Sequence, residues 1–195
     1  MTINVQDAGI GMKVLEKAKI ILKYAPDANK TLNPMERQDT LFKYRFYLYI
    51  LILLFLDIVS KQLALNSLDR GMSVSFIPFI DLFLTFNSGV AFGFLDFGER
   101  IYSNILMLIG IFIVIYLLYL LNEETNLSKK LALSFISGGA LGNIIDRAPD
   151  GYVTDFLHLN INNYSFFIFN FADASISLGA ILIIYLEIFK KDHGN

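Results

Sequence analysis

The chain has 195 residues, 55% of them hydrophobic and only 17% charged, with 18 Phe and 10 Tyr. Soluble domains run nearer to roughly 45–50% apolar and about 25% charged, so this composition and a mean hydropathy of +0.54 exclude both disorder and an ordinary soluble domain. Cysteine is absent, which removes disulfides and thiolate metal sites, and a net charge of -2 supplies no electrostatic reason to expect nucleic acid.

In chain order, residues 14–25 come first. They place Val14, Leu15, Ala18, Ile21, Leu22 and Ala25 on one helical face, with Lys13, Glu16, Lys17 and Lys23 opposite. That is the pattern of a basic amphipathic helix suited to an anionic membrane surface. Residues 26–40 read as a polar linker. The first 45 residues are too polar for a secretory signal peptide, so the first span is expected to be a retained anchor.

A spanning helix needs about 20 mostly apolar residues. Residues 46–65 meet this apart from Asp57, Ser60, Lys61 and Gln62, and 101–121 carry no charge. Residues 131–145 are shorter and Gly-rich, and 171–189 hold only Asp173 and Glu187 as charged groups. Ser134, Gly138 and Gly142 recur four residues apart, a small-residue seam that lets helix backbones approach. Between the first two spans, 72–97 has the short β-like runs 74–77 and 82–86, with Pro78 and the turn formers Asn87, Ser88 and Gly89. It reads as a small extracytoplasmic β-element with a hairpin, lying at or above the lipid interface because a sheet edge is not tolerated in hydrocarbon.

The expected architecture is therefore a mainly α membrane protein of four transmembrane helices with a small extracytoplasmic β-element. Residues 1–45 form a cytoplasmic extension, 46–190 the four-span domain with its β-element at about 66–100, and 191–195 a cytoplasmic tail. Orientation follows from Lys and Arg: twelve of the sixteen fall in the first 45 residues, the 122–130 linker and the C-terminal pair Lys190 and Lys191. Both termini are thus expected in the cytoplasm. With Arg45 and Lys130 at the inner face, a rise of ~1.5 Å per residue lifts Asp57 by ~18 Å and Lys61 and Asp146 by ~24 Å. Asp173 begins the last span from the outer side. Ionisable groups from three helices converge in the outer third of the bilayer, where such groups face the bundle interior.

The chemistry is bounded by what is missing. The sequence holds no HExxH, no Gly-rich phosphate loop and no GxSxG, and its histidines are His158 and His193 alone. Asp146, Asp150, Asp155, Asp173 and His158 are too scattered to favour a metal site. Neither metal nor cofactor is expected. Asp57 and Lys61, four residues apart in the favourable acid-first order, read as a strut at the edge of a site. Two carboxylates held close share one proton, so one activates water while the other protonates a carbonyl oxygen. Composition leaves open which Asp residues pair. A small transporter or proton relay using intramembrane Asp and Lys is the alternative, although 101–121 offers it no polar path.

Five stretches occur in order: 57–61 (DIVSK), 86–92 (FNSGVAF), 138–147 (GGALGNIIDR), 151–156 (GYVTDF) and 169–176 (FNFADASI). Together they resemble the lipoprotein signal peptidase (signal peptidase II) family of bacterial intramembrane aspartic peptidases, over about residues 46–190. The resemblance implies Asp155 and Asp173 as the catalytic pair. Asn87 would line the site, Gly89, Ala91 and Phe92 would shape the adjoining turn and pocket, and Asn143, Asp146 and Arg147 would brace the pair. Asn170 and Ala172 would flank the second aspartate, with Asp57 and Lys61 in support. Thr154 departs from the Val common in the family. The implied substrate is a diacylglyceryl-modified prolipoprotein, cut on the amino side of its lipidated Cys. The implied setting is the bacterial cytoplasmic (inner) membrane, with the site near the outer face of a monomer that needs no partner beyond substrate and lipid.

Overall fold

The computed structural model describes residues 34–89, 99–161 and 164–189. The amphipathic helix expected at 14–25, Ala91, Phe92, His193 and the tail 191–195 lie outside the described residues. The chain divides into two compact units, 1–43 and 44–195, and the side-chain packing below belongs to the second.

Four helices carry the architecture among the described residues: α1 (Pro34–Ser67), α2 (Glu99–Glu123), α3 (Leu127–Asp150) and α4 (Phe171–Phe189). Three stretches within them are long and apolar enough to cross a membrane: Tyr44–Ser67, Arg100–Glu123 and Phe171–Phe189. Their apolar residues are largely turned outward; Leu51, Phe55, Phe112, Ile115 and Ile181 are all exposed. In water that pattern would be prohibitive, whereas in lipid these side chains meet their own solvent. α3 is more polar and is the packing helix. Asn126 caps it by accepting from the Ser128 and Lys129 amides, and Gly151 ends it at φ 94, a left-handed turn that a Cβ would strain.

Contacts at the two ends fix the helices as an up-and-down set. At one end the Tyr47 hydroxyl of α1 donates to Asn122 Oδ1 of α2, and Lys129 of α3 pairs with Glu187 of α4. Phe46, Ile50, Leu121 and Leu133 form the buried apolar cluster there. At the other end the Ser103 hydroxyl of α2 donates to the Gly151 carbonyl. That second end also buries Leu84, Val153 and Phe156, and between the two ends the helices meet by close backbone approach. A Cβ on Gly138 would sit 2.9 Å from Leu53 Cβ and 3.2 Å from the Ile50 carbonyl of α1. One on Gly179 of α4 would lie 2.6 Å from the Ala132 carbonyl of α3. The seam read from Ser134, Gly138 and Gly142 is thus fully buried.

The β-element is larger than expected. It is a four-stranded antiparallel sheet in the order β1-β2-β3-β4, with β1 (Ser73–Ile77), β2 (Ile80–Asn87), β3 (Val153–Ile161) and β4 (Tyr164–Phe169). Half of it, β3 and β4, lies outside the stretch of about 66–100 expected to form the element. The hairpin turn also differs from expectation. It falls at Pro78–Phe79, between the paired Ile77 and Ile80, rather than at Asn87–Gly89. Pro78 supplies the first corner and Phe79 takes a φ of 71 at the second, the φ signs of a type II turn. Asn87 instead ends β2, paired with Val153.

The seam makes a testable demand. Gly138→Val should lower stability by about 1–3 kcal/mol, the usual cost of overpacking, read as a lower thermal unfolding midpoint in detergent. Leu63→Ala, on an exposed position of α1, should leave that midpoint nearly unchanged.

Candidate active site

Asp173 stands in the first turn of α4, and the sequence N-x-x-D that precedes the apolar run explains how that helix starts. Asn170 Oδ1 accepts from the Asp173 amide at 2.9 Å, while Asp173 Oδ2 accepts from the Asn170 amide at 3.2 Å. This is a reciprocal capping box with Asp in the place usually held by Glu. The next orphan amide of the turn, that of Ala172, donates to Asp57 Oδ1 of α1 at 2.9 Å. A carboxylate from another helix therefore completes the cap, at the end where a helix dipole favours negative charge.

Asp155 reaches the same place from the sheet. Strand alternation puts Val153, Asp155 and Leu157 on one face and Thr154, Phe156 and His158 on the other. Along β2, Leu82 pairs with Leu157 and Thr85 with Asp155, so three steps on β2 match two on β3. That bulge shifts the alternation of β2 by one residue. Thr85 and Asn87 thereby share the face of Asp155, and Asn87 Nδ2 donates to Asp155 Oδ2 at 3.0 Å.

Asn170 connects the two aspartates. Its Nδ2 donates to Asp155 Oδ1 at 2.7 Å, while its backbone amide and carbonyl-bearing side chain hold Asp173. Asn143 of α3 donates through Nδ2 to Asp173 Oδ1 at 2.8 Å and accepts from Asn170 Nδ2 at 3.1 Å. Asp155 is 2% exposed and Asn170 is fully buried; Asp173 is half-buried. Burial pushes the Asp155 carboxyl up to about 6; the Asp173 charge adds to the rise, and the hydrogen bonds from Asn87 and Asn170 oppose it. Two carboxyl groups meeting in such surroundings can hold one proton between them.

Around this pair lies a buried ionic cluster. Lys61 Nζ is 2.8 Å from Asp57 Oδ2, 3.2 Å from Asp146 Oδ2 and 3.0 Å from Asn143 Oδ1. Asp57 is fully buried and Lys61 is 3% exposed. Asp146 also accepts from the Thr154 backbone amide at 2.7 Å, which pins the start of β3 to α3. A Cβ on Gly142 would fall 2.9 Å from Asp57 Cγ, and one on Gly139 would run into the Ala172 carbonyl. Only glycine leaves room there, and Ala172 is itself fully buried.

Of the site residues read from sequence, Asp57, Lys61, Asn87, Asn143, Asp146, Asp155, Asn170, Ala172 and Asp173 thus form one connected set. Arg147 lies at its edge, its guanidinium 3.5 Å from the Asn87 carbonyl and its Nε buried without a hydrogen-bond partner. Gly89 follows the strand at φ 80, its amide donating to Asn87 Oδ1 at 2.7 Å. His158 is elsewhere, on the opposite sheet face, with Nε2 2.7 Å from Ser165 Oγ. Sequence reasoning missed the part played by Thr154, because a backbone amide that receives a distant carboxylate leaves no mark on composition. Among the described residues no group of His, Asp and Glu is arranged to hold a metal. Cavities of about 490 Å³ at the hairpin tip and about 330 Å³ beside Lys129 and Glu187 are lined by neither aspartate.

Comparison with known proteins places this geometry. The lipoprotein signal peptidase of Polynucleobacter necessarius is 40% identical over 150 residues, covering 75% of this chain and 91% of its own length. That of Coxiella burnetii is 40% identical over 142 residues, covering 71% of this chain and 85% of its own. A bacterial membrane enzyme solved by the in meso method at 2.3 Å resolution superposes with a TM-score of 0.68 at 33% identity, over 77% of this chain and 92% of that one. A second, solved at 1.9 Å, gives 0.64 at 37% identity, over 72% and 90%. The family model for signal peptidase (SPase) II matches residues 49–189, and the chain belongs to that family of peptidases.

Proposed function

We propose that this membrane enzyme removes signal peptides from diacylglyceryl-modified prolipoproteins through water activated by Asp155 and Asp173. The observation that carries the reading is Asn170, which hydrogen-bonds Asp155 from one side and Asp173 from the other. Asp155, whose carboxyl is pushed up to about 6 by burial, is the acid. Asp173, which accepts from Asn143 and from the Asn170 amide, is the base.

In the first step a water oxygen bonds to the scissile carbonyl carbon. Its proton passes to Asp173 while the Asp155 proton goes to the carbonyl oxygen, which gives a neutral gem-diol. In the second step Asp155 takes back a proton from a gem-diol hydroxyl, the C–N bond breaks, and Asp173 passes its proton to the departing nitrogen, which restores both aspartates. The products are a signal peptide ending in a carboxyl group and a lipidated Cys with a free amine. No acyl-enzyme forms.

The topology read from sequence completes the proposal. α3 crosses as a fourth span, since its 24 residues reach about 36 Å and Lys129 meets Glu187 at the end away from the aspartates. That end faces the cytoplasm, the sheet lies outside, and the paired carboxyls stand where lipid meets water. A diacylglyceryl-bearing peptide can reach them there without leaving the bilayer.

Three outcomes are expected. Asp155→Asn and Asp173→Asn should each lower cleavage of a lipidated prolipoprotein by purified protein in detergent by at least about 10³-fold, and retained cleavage in either would reject the pair. The kcat/KM of the wild-type enzyme should decline on the alkaline side as Asp155 loses its proton. Removing the Asn87 hydrogen bond, which favours the ionised form, should move that decline to higher pH in Asn87→Ala. A reporter fused after Asn195 should be cytoplasmic, and an extracytoplasmic signal would invert the topology.

A further inference from the structure

Cleavage as written above gives Lys61 no step. Its contacts within 3.2 Å go to Asp57 Oδ2, Asp146 Oδ2 and Asn143 Oδ1. A helix strut would need only the first of these, because the Asp57–Lys61 pair already neutralises itself on one helix. The contact with Asn143 is an addition with its own consequence.

A side-chain amide has a donor end and an acceptor end. The Lys61 ammonium and Asn170 Nδ2 both face Asn143 Oδ1, at 3.0 and 3.1 Å. Turning that amide over would set its NH2 against an ammonium and a second NH2, and its oxygen against the Asp173 carboxylate. The cation therefore selects the orientation in which Asn143 Nδ2 donates to Asp173 Oδ1. Lys61 is almost fully buried, so water is not at hand to replace it, and a charge so placed acts through a weakly screening medium.

We propose, on the reading that Asp155 and Asp173 are the catalytic pair, that Lys61 is a positioning residue for cleavage: its buried ammonium locks the Asn143 amide with its donor toward Asp173 and so keeps Asp173 as the ionised base. Asp173 is faced by Arg147 from α3 and by Asp155 from β3, and it meets Lys61 of α1 through Asn143, with Asp57 and Asp146 on the far side of that cation. Among these, Lys61 alone bonds the amide that bonds Asp173.

The test is a double-mutant cycle on the full-length enzyme in detergent, with kcat and KM followed over the acid range. Lys61→Met should lower kcat by about 10²-fold, the low end for a positioned acid–base group, with little change in KM. It should also move the acid limb of the kcat profile to higher pH. Lys61→Arg, which keeps the charge, should return the limb toward its wild-type position. Asn143→Leu should reproduce the displaced limb with Lys61 intact. The double variant should be no worse than Asn143→Leu alone, since residues acting in series are not additive.

If Lys61 is only a strut, Lys61→Met lowers the unfolding midpoint, leaves the acid limb in place, and adds its loss to that of Asn143→Leu; that result overturns the proposal. Should Lys61→Met fail to fold, Asn143→Leu decides, and a wild-type acid limb in that variant is fatal. Retained cleavage in Asp155→Asn or Asp173→Asn is a separate result that removes the catalytic pair itself.

Discussion

The buried ammonium of Lys61 and the carboxylates of Asp57 and Asp146 hold the sheet-bearing end of this molecule together. Through Asp57 the cluster reaches the Ala172 amide and so the first turn of α4. Through Asp146 it reaches the Thr154 amide and so the first residues of β3. Through Asn143 it reaches Asp173. Four elements thus end on one cation and its partners, and two of those ends bring the candidate catalytic aspartates. Removing one member of a buried ionic set leaves an uncompensated charge, typically costing about 3–5 kcal/mol. The apolar cluster around Phe46, Ile50, Leu121 and Leu133 lies at the far end of the helices and gives this end no comparable support. Here lipid cannot drive association, because the helices' outward side chains are as apolar as the solvent around them.

Much of the site was legible because it is local. Asp57 and Lys61 are one helical turn apart, whereas Asp155 and Asp173 were paired only through the family resemblance, because spacing left the choice open. Glycines four residues apart announced the seam along α3. The parts that escaped are non-local or conformationally rare. β3 mixes Thr, Asp, His and Asn with its apolar residues and β4 is a short aromatic run; antiparallel partners, one of them distant in the chain, define them as strands. The turn at Pro78–Phe79 was hidden because a bulky residue with positive φ is uncommon, while Asn87, Ser88 and Gly89 offer the composition of a turn without forming the hairpin. The bulge between Leu82 and Thr85 exists only in the register of two strands, yet it carries Asn87 to the face of Asp155.

The placement proposed for the site, at the lipid boundary, also suits the chemistry proposed. A protein interior screens charge weakly, so a carboxyl as buried as Asp155 resists ionisation beside a second carboxylate. In open water both aspartates would be ionised at neutral pH, and neither would hold the proton that a scissile carbonyl needs. Deep in hydrocarbon neither would be ionised, and no base would remain. The half-exposed position of Asp173 beside the fully enclosed Asp155 separates the two environments within a few ångströms. Such a difference lets one residue type fill both roles.

The choice of donors around the pair follows from the same balance. Asn87, Asn143 and Asn170 are neutral, and together with a backbone amide they satisfy all four carboxyl oxygens. Neutral amides give hydrogen bonds without adding charge, so they order both aspartates while leaving room for one proton. A lysine in direct contact with Asp155 would stabilise its ionised form and remove the acid. Positive charge is instead kept one layer out, at Lys61 and Arg147, where it acts on the amides and on the surrounding field rather than on Asp155 directly. On the proposed mechanism the three asparagines are spacers between charge and acid, with the cations near Asp155 but not adjacent to it.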